Sequence, residues 1–209
     1  MQMLHPHSGS IQQYMEQLDD PGRDRPEHCP QCRIQEPMRA HGFYRRTIVD
    51  EAFDGVIRVR RYLCEACRRT VSLLPEWALP YMRFSIATIR RTLKERLMDG
   101  RVWKADESYQ RAQQWVRRFE KQVEPLSAAL TALTPIQNAS SFVLRAMEML
   151  EKTGWIAAHR FMFADLRMHL LGWPPSLTPH GRRITLASAS RPAGPAPHTT
   201  CMEGGIHSG

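Results

Sequence analysis

The sequence predicts an α+β protein: a small β zinc ribbon, then a helical region of helix-turn-helix type, then a disordered C-terminal tail. Three observations carry that expectation. Two C-x-x-C pairs, "CPQC" (Cys29, Cys32) and "CEAC" (Cys64, Cys67), stand 31 residues apart. The stretches between and after them alternate as strands do, and apolar residues then recur at helical spacing. From Pro174 onward the chain is rich in Pro, Gly, Ser and Thr, with few large apolar residues to bury.

Residues 1–25 read as a loose segment, apart from a helical turn around "SIQQYMEQL". Residues 26–82 read as the ribbon. Two cysteine pairs brought together supply four thiolates, the tetrahedral all-sulfur set of a structural Zn(2+) site. Each pair would sit on a tight knuckle, with the spacer folded between them as a hairpin. "FYRRTIV" (43–49) and "VIRVRRYL" (56–63) are rich in β-branched and aromatic residues, and "DEAFDG" (50–55) supplies a turn. "TVSLL" (70–74) adds a third strand. A thioredoxin-like redox motif would need a βαβ context, which is missing, and unmetallated cysteines are the remaining alternative. His28 and His41 flank the first pair as substitute ligands that four cysteines make unnecessary. Cys201 falls in the tail and carries no expected role.

Residues 83–123 read as the helix-turn-helix-like region. Ser85 is a good N-cap, Ile86, Ile89, Leu93 and Leu97 keep helical spacing, and Gly100 ends the helix. A second helix after Asp106 or Ser108 would bury Ala112, Trp115, Val116, Phe119 and Val123. Residues 124–173 read as further helices: "EPLSAALTALTP" closed by Pro135, "SSFVLRAMEMLEK" capped by Ser140 or Ser141, and "WIAAHRFMFADLRMHLLGW". The last is apolar around most of its circumference, which implies burial against the preceding helices or self-association through residues 140–171. His159 and His169 on it read as packing residues. Residues 174–209 form the tail.

At 209 residues, 42% hydrophobic and 24% charged, the composition is that of a soluble globular protein. No apolar run approaches the ~20 residues that span a bilayer, and no secretory signal is visible, so a cytoplasmic, reducing compartment is expected. Charge is uneven. Residues 41–121 hold 18 Lys/Arg against 10 Asp/Glu, which accounts for the whole formal charge of +8. Such clustering is the footprint of a polyanion binder, and DNA is the expected partner. Arg45, Arg46, Arg58, Arg60, Arg61, Arg68 and Arg69 would grip phosphates. Gln110, Arg111, Gln113, Gln114, Arg117 and Arg118 are the residue types that read base edges in the major groove. The competing reading of that helix is a solvated face.

"CPQC", "HGFYRRT" (41–47), "RVRRYLCEACRRTVSLLPEWALPY" (58–81) and "SYQRAQQWVRRF" (108–119) together resemble a family of small zinc-ribbon proteins. These are encoded by bacterial insertion sequences and transposon-like loci and are grouped as a domain of unknown function. The resemblance covers residues 25–122 and extends more loosely to "TGWIAAHRFMFADLRMHLLGW". It implies that ribbon and helix-turn-helix hold element DNA while a separate ribonuclease-H-like domain or protein cuts it. It also implies that Cys29, Cys32, Cys64 and Cys67 are the zinc ligands. The chain itself is expected not to be an enzyme: no set of three carboxylates on a mixed sheet, nucleophile elbow, Gly-rich phosphate loop or HExxH pattern occurs. The reading is a DNA-binding, non-catalytic accessory or regulator of a mobile element. The alternatives are an adaptor that docks a transposase or polymerase subunit, or an inactive transposase remnant.

Overall fold

The structure is a computed structural model that describes residues 1–7, 9–18, 20, 24–101, 107–134, 139 and 141–172. The expected tail and Cys201 lie outside the described residues. The described residues belong to one compact unit, in which a four-stranded mixed sheet is followed by helices. Its strands are β1 (Gln2–His5), β2 (Arg39–Asp50), β3 (Phe53–Leu63) and β4 (Thr70–Pro75), in the order β1-β4-β3-β2.

β2 and β3 form the expected hairpin, but its turn is two residues, Glu51 and Ala52, with Asp50 paired to Phe53. Gly55 lies inside β3, so the six-residue turn read from "DEAFDG" is too long. At the open end, Ala40 pairs with Tyr62 and Phe43 with Arg60, which leaves one extra residue on β2. Gly42, at φ 85°, supplies the left-handed step of this bulge. β4 returns antiparallel to β3, from Arg61 opposite Ser72 to Leu63 opposite Thr70.

The N-terminal segment, expected to be loose, is a working part of the sheet. β1 pairs parallel to β4, from Gln2 opposite Ser72 to His5 opposite Pro75. After it comes α1 (Ile11–Gln17), closed at its start by a reciprocal Ser10–Gln13 capping box. Ile11 and Tyr14 bury against Ile48, Ile57, Val59, Leu74 and Trp77. The Tyr14 hydroxyl donates to the Arg58 carbonyl at 3.1 Å. Two apolar residues at i and i+3 suffice to dock a short helix, a signal too sparse to stand out in a polar segment.

The helical half comprises α2 (Ile86–Leu97), α3 (Glu107–Thr131), α4 (Phe142–Thr153) and α5 (Trp155–Ala164). Ser85 caps α2 as expected, accepting from the Thr88 amide. α3 does not stop near residue 123. It runs on through Pro125, because Phe119, Val123, Leu126 and Leu130 continue one buried stripe at i, i+4, i+7 and i+11. The short helix expected over 124–135 is therefore the end of α3, and Pro135 lies outside the described residues. Ser141 caps α4 through the Leu144 amide, and Gly154, at φ 86°, separates α4 from α5. α5 ends at Ala164, shorter than the expected span. Arg167 takes φ 55°, and His169 sits beyond the helix with its Nε2 2.9 Å from the Pro80 carbonyl. The two histidines do not share a helix. One apolar cluster, from Leu79 and Ile86 to Leu170 and Leu171, fills this half.

Polar bonds join sheet and helices. The Val49 amide donates to Arg83 at 2.8 Å, and the Ser85 amide donates back to Val49 at 2.9 Å. Arg46 donates to the carbonyls of Leu79 and Met82. Arg160 of α5 donates at 2.9 Å to Glu76, which is buried just after β4. No helix among the described residues is long and apolar enough to cross a membrane.

Candidate metal centre and its basic surface

The two knuckles repeat one local construction. The Cys29 amide donates to the Ile34 carbonyl at 3.1 Å, and the Cys64 amide donates to the Arg69 carbonyl at 2.9 Å, five residues on in both cases. The residue after each second cysteine is left-handed: Arg33 at φ 62° and Arg68 at φ 56°. This turn swings both sulfurs of a pair to the same side. The hairpin then brings the pairs together, and all four Sγ atoms lie within 4.8 Å of one another. Cys29 and Cys67 are 3.7 Å apart and Cys32 and Cys64 3.6 Å. A tetrahedron with metal–sulfur bonds of ~2.3 Å has edges of about 3.8 Å. The cluster therefore fits a metal ion, with Cys29 and Cys64 buried and Cys32 exposed. His28 and His41 are exposed and outside it.

The thiols feel one another strongly. Burial pushes the Cys29 thiol up, but amide donors from Cys32 and Gln31 outweigh it and hold it down to about 7. The Arg69 amide favours the Cys67 thiolate, yet desolvation and the surrounding sulfurs prevail and push it up to about 12. Four sulfurs at these distances cannot all ionise without a cation among them. A bound metal removes that penalty, and so binding and local folding are coupled. Met38, Tyr62, Val71 and Leu73 pack with Cys29 and Cys64 and shield that side of the cluster from water.

The seven strand and knuckle arginines separate into different roles. Arg45 and Arg58 stand directly opposite each other across β2 and β3, both exposed. Arg58 and Arg60 lie over the Phe43 ring at 4.8 and 4.1 Å from its centroid. Arg60 is half-buried and also donates to the Leu18 carbonyl. Arg61 donates to the Thr70 hydroxyl at 3.2 Å. Arg46 points to the other side of the hairpin and is tied to Leu79 and Met82. Arg68 and Arg69 are exposed on the second knuckle.

The six residues chosen on α3 separate in the same way. Gln110, Gln114 and Arg117 form an exposed stripe at i, i+4 and i+7. Arg111 lies against the Phe84 ring at 4.9 Å. The Gln113 amide donates to the Tyr109 hydroxyl at 2.5 Å. Arg118 donates to the Leu171 and Gly172 carbonyls at 2.9 and 2.6 Å, which turns it inward as a clamp on the C-terminal segment. Nine residues, 98–106, separate α2 from α3, where helix-turn-helix motifs use a turn of about 3–4.

Charge pairing marks which cations are available. Arg83, Arg90, Arg91, Arg101 and Arg160 are matched to Asp54, Glu151, Glu51, Glu95 and Glu76. Among the described residues, exposed Arg33, Arg45, Arg68, Arg69 and Arg117 have no such carboxylate. Arg33 stands outside the set of arginines expected from the sequence. The signal for it is its place, one residue after a C-x-x-C pair, mirroring Arg68.

Fold and site together define a four-cysteine β ribbon with a helical domain packed on it. Residues 29–115 match a family described as a domain of unknown function (DUF6431), a stretch shorter than half the chain. It covers both knuckles, the hairpin and the start of α3. No curated protein and no solved structure matches the chain. The match lends no support to the insertion-sequence association that the resemblance implies, because the family is uncharacterised.

Proposed function

We propose that this is a non-catalytic DNA-binding protein whose ribbon is held by one structural zinc ion. The observation that carries the reading is the hairpin surface, where Arg45 and Arg58 face each other beside Arg60 and Phe43. Exposed Arg45 has no carboxylate partner among the described residues, and phosphates bound there would gain from the release of condensed counterions. Exposed Arg33, Arg68 and Arg69 extend the same kind of charge to the metal end of the hairpin. Four thiolates suit zinc, which needs only tetrahedral geometry and has no redox chemistry to lose. On the stripe Gln110, Gln114 and Arg117, α3 retains the side chains that would touch bases. A role as accessory to a mobile element rests on the sequence resemblance alone.

The test is a gel-shift series at two salt concentrations. Arg45→Ala should weaken binding to every sequence alike and lower the salt slope by about one unit. Gln114→Ala or Arg117→Ala should cost roughly 1–3 kcal/mol on a preferred site and little elsewhere. Unchanged affinity in Arg45→Ala, Arg58→Ala double-mutant protein would sink the reading. A second reading, an adaptor or self-associating protein, is favoured by Phe142, 72% exposed at the start of α4. That reading expects association that survives high salt and falls in Phe142→Ser.

A further inference from the structure

An open cleft of about 330 Å3 is walled by Gln2, Tyr44, Arg46, Thr47, Tyr81, Met82 and Arg83. Three features set it apart. Arg46 is largely desolvated, which lowers its affinity for its proton, and among the described residues no carboxylate compensates it. Its two bonds to the Leu79 and Met82 carbonyls use one nitrogen, Nη2, and leave the other N–H groups of the guanidinium unspent. The Tyr44 hydroxyl lies beside this guanidinium and steadies its charge, yet it is buried with no hydrogen-bond partner of good geometry. Gln2 Oε1 is likewise buried and unpartnered on the same wall, and half a turn of its amide would present the NH2 instead. At the mouth, Tyr81 is held at φ 60° with its side chain exposed, and Arg83 is paired only with the exposed Asp54.

Buried charge without a counterion is costly, and native interiors pair it or hydrogen-bond it. Here one cation and two residues with unsatisfied polar atoms line one opening, and a second, exposed cation lines it too. The complement to that set is a small oxyanion with several acceptor oxygens. We propose that this cleft binds a single phosphate group, held by Arg46, the Tyr44 hydroxyl, the Gln2 amide and Arg83. Such a group could come from free phosphate, from the end of a nucleic acid strand or from its backbone. Apart from Arg46, expected from the sequence as a DNA contact, the site stands on residues other than those of the DNA-binding reading and does not depend on it.

Inorganic phosphate is the first probe, added to the full metal-loaded chain at ionic strength matched with chloride. A rise in melting temperature of about 2–4 °C over chloride is expected. Tyr44→Phe, which keeps the ring in place, and Arg83→Gln, at an exposed position, should each at least halve the rise. A shift no larger than that of chloride, or one that both variants retain in full, overturns the proposal. Arg45→Ala, Arg58→Ala protein should keep the phosphate shift while losing DNA, so the two sites fail separately. Single strands with and without a 5′-phosphate resolve the source. A preference for the phosphorylated strand that Tyr44→Phe abolishes places a strand end in the cleft. Equal binding of both strands, weakened by Tyr44→Phe, places the backbone there. Binding of neither strand that is sensitive to Tyr44→Phe, alongside the thermal shift, leaves free phosphate as the ligand.

Discussion

Arg33 and Arg68 hold a backbone conformation that costs an L-residue roughly 1–2 kcal/mol and costs glycine nothing sterically. Both side chains are exposed and buried in no contact that repays the strain. Arg68→Gly should therefore raise the stability of the metal-loaded protein by up to about 1 kcal/mol, the relief less the added chain entropy. It should also weaken DNA binding at low salt. A melting curve and one salt titration check both directions, and a loss of stability would show that the Arg68 side chain is needed for the knuckle. His159 presents the opposite case, a polar group with no visible use. It is fully buried, both ring nitrogens lack partners among the described residues, and burial first, then nearby His169, holds its pKa down to about 3. His169 is held down to about 4 by burial first, with the Pro80 carbonyl acting against it and repulsion from the Arg118 and Arg46 cations adding to it. Both are neutral when folded, while the unfolded chain takes up protons below about 6.5. The stability they permit is present above that pH and is lost as pH falls toward 4, at up to about 1.4 kcal/mol per pH unit for each. His159→Leu should hold or raise stability at pH 7 and flatten the slope between pH 6.5 and 5. An unchanged slope would mean that His159 stays neutral for another reason. At this scale the cysteines were legible because their spacing is covalent. The free arginines were not, because pairing of the others with acids, such as Arg160 with Glu76, spans as many as 84 residues.

Elements were legible where one face repeats cleanly. α2 and the first half of α3 follow their apolar spacing, and the capping serines sit where expected. The exception is the expected break between residues 123 and 124, which α3 runs through although it holds Pro125, and proline removes a helical hydrogen bond and crowds the preceding turn. The helix tolerates it because Pro125 is exposed while Leu126 and Leu130 on the same turns are buried. The lost bond is that to the Lys121 carbonyl, on the solvent side where water can replace it. Pro125→Ala should restore that bond and raise stability by about 1–2 kcal/mol, the helix gain less the looser unfolded chain. Equilibrium denaturation would read it, and a destabilised Pro125→Ala protein would mean that the proline fixes a bend the core requires. The helical turn expected around "SIQQYMEQL" is α1, but β1 and the docking of both elements were illegible for a different reason. Their partners are β4 and the inner face of the hairpin, so nothing within residues 1–18 announces that they will dock.

For the molecule as a whole, the metal centre and the helical core are held by different apolar groups. Tyr62, Val71 and Leu73 pack on the cysteines, and their strands also carry Ile57, Val59 and Leu74 into the α1 cluster. The helical cluster from Leu79 to Leu171 contains none of these strand residues. Sheet and helices meet instead through polar bonds: Arg46 on Leu79 and Met82, Val49 on Arg83 and Ser85, Arg160 on Glu76. Stripping the metal leaves four thiols that must protonate or repel, and the ribbon has little core to hold itself without it. That failure should spread through β3 and β4 to the hairpin and α1, and then stop. With a chelator present, strand signal, metal and DNA binding should be lost together, while most of the helical ellipticity at ~222 nm persists and melts later. Deleting residues 1–18 should weaken the same sheet with the metal still bound, because Ile11 and Tyr14 leave the cluster. If the chelator removes helix and sheet in one cooperative transition, the polar junction transmits more than its bonds suggest, and the two cores are energetically one.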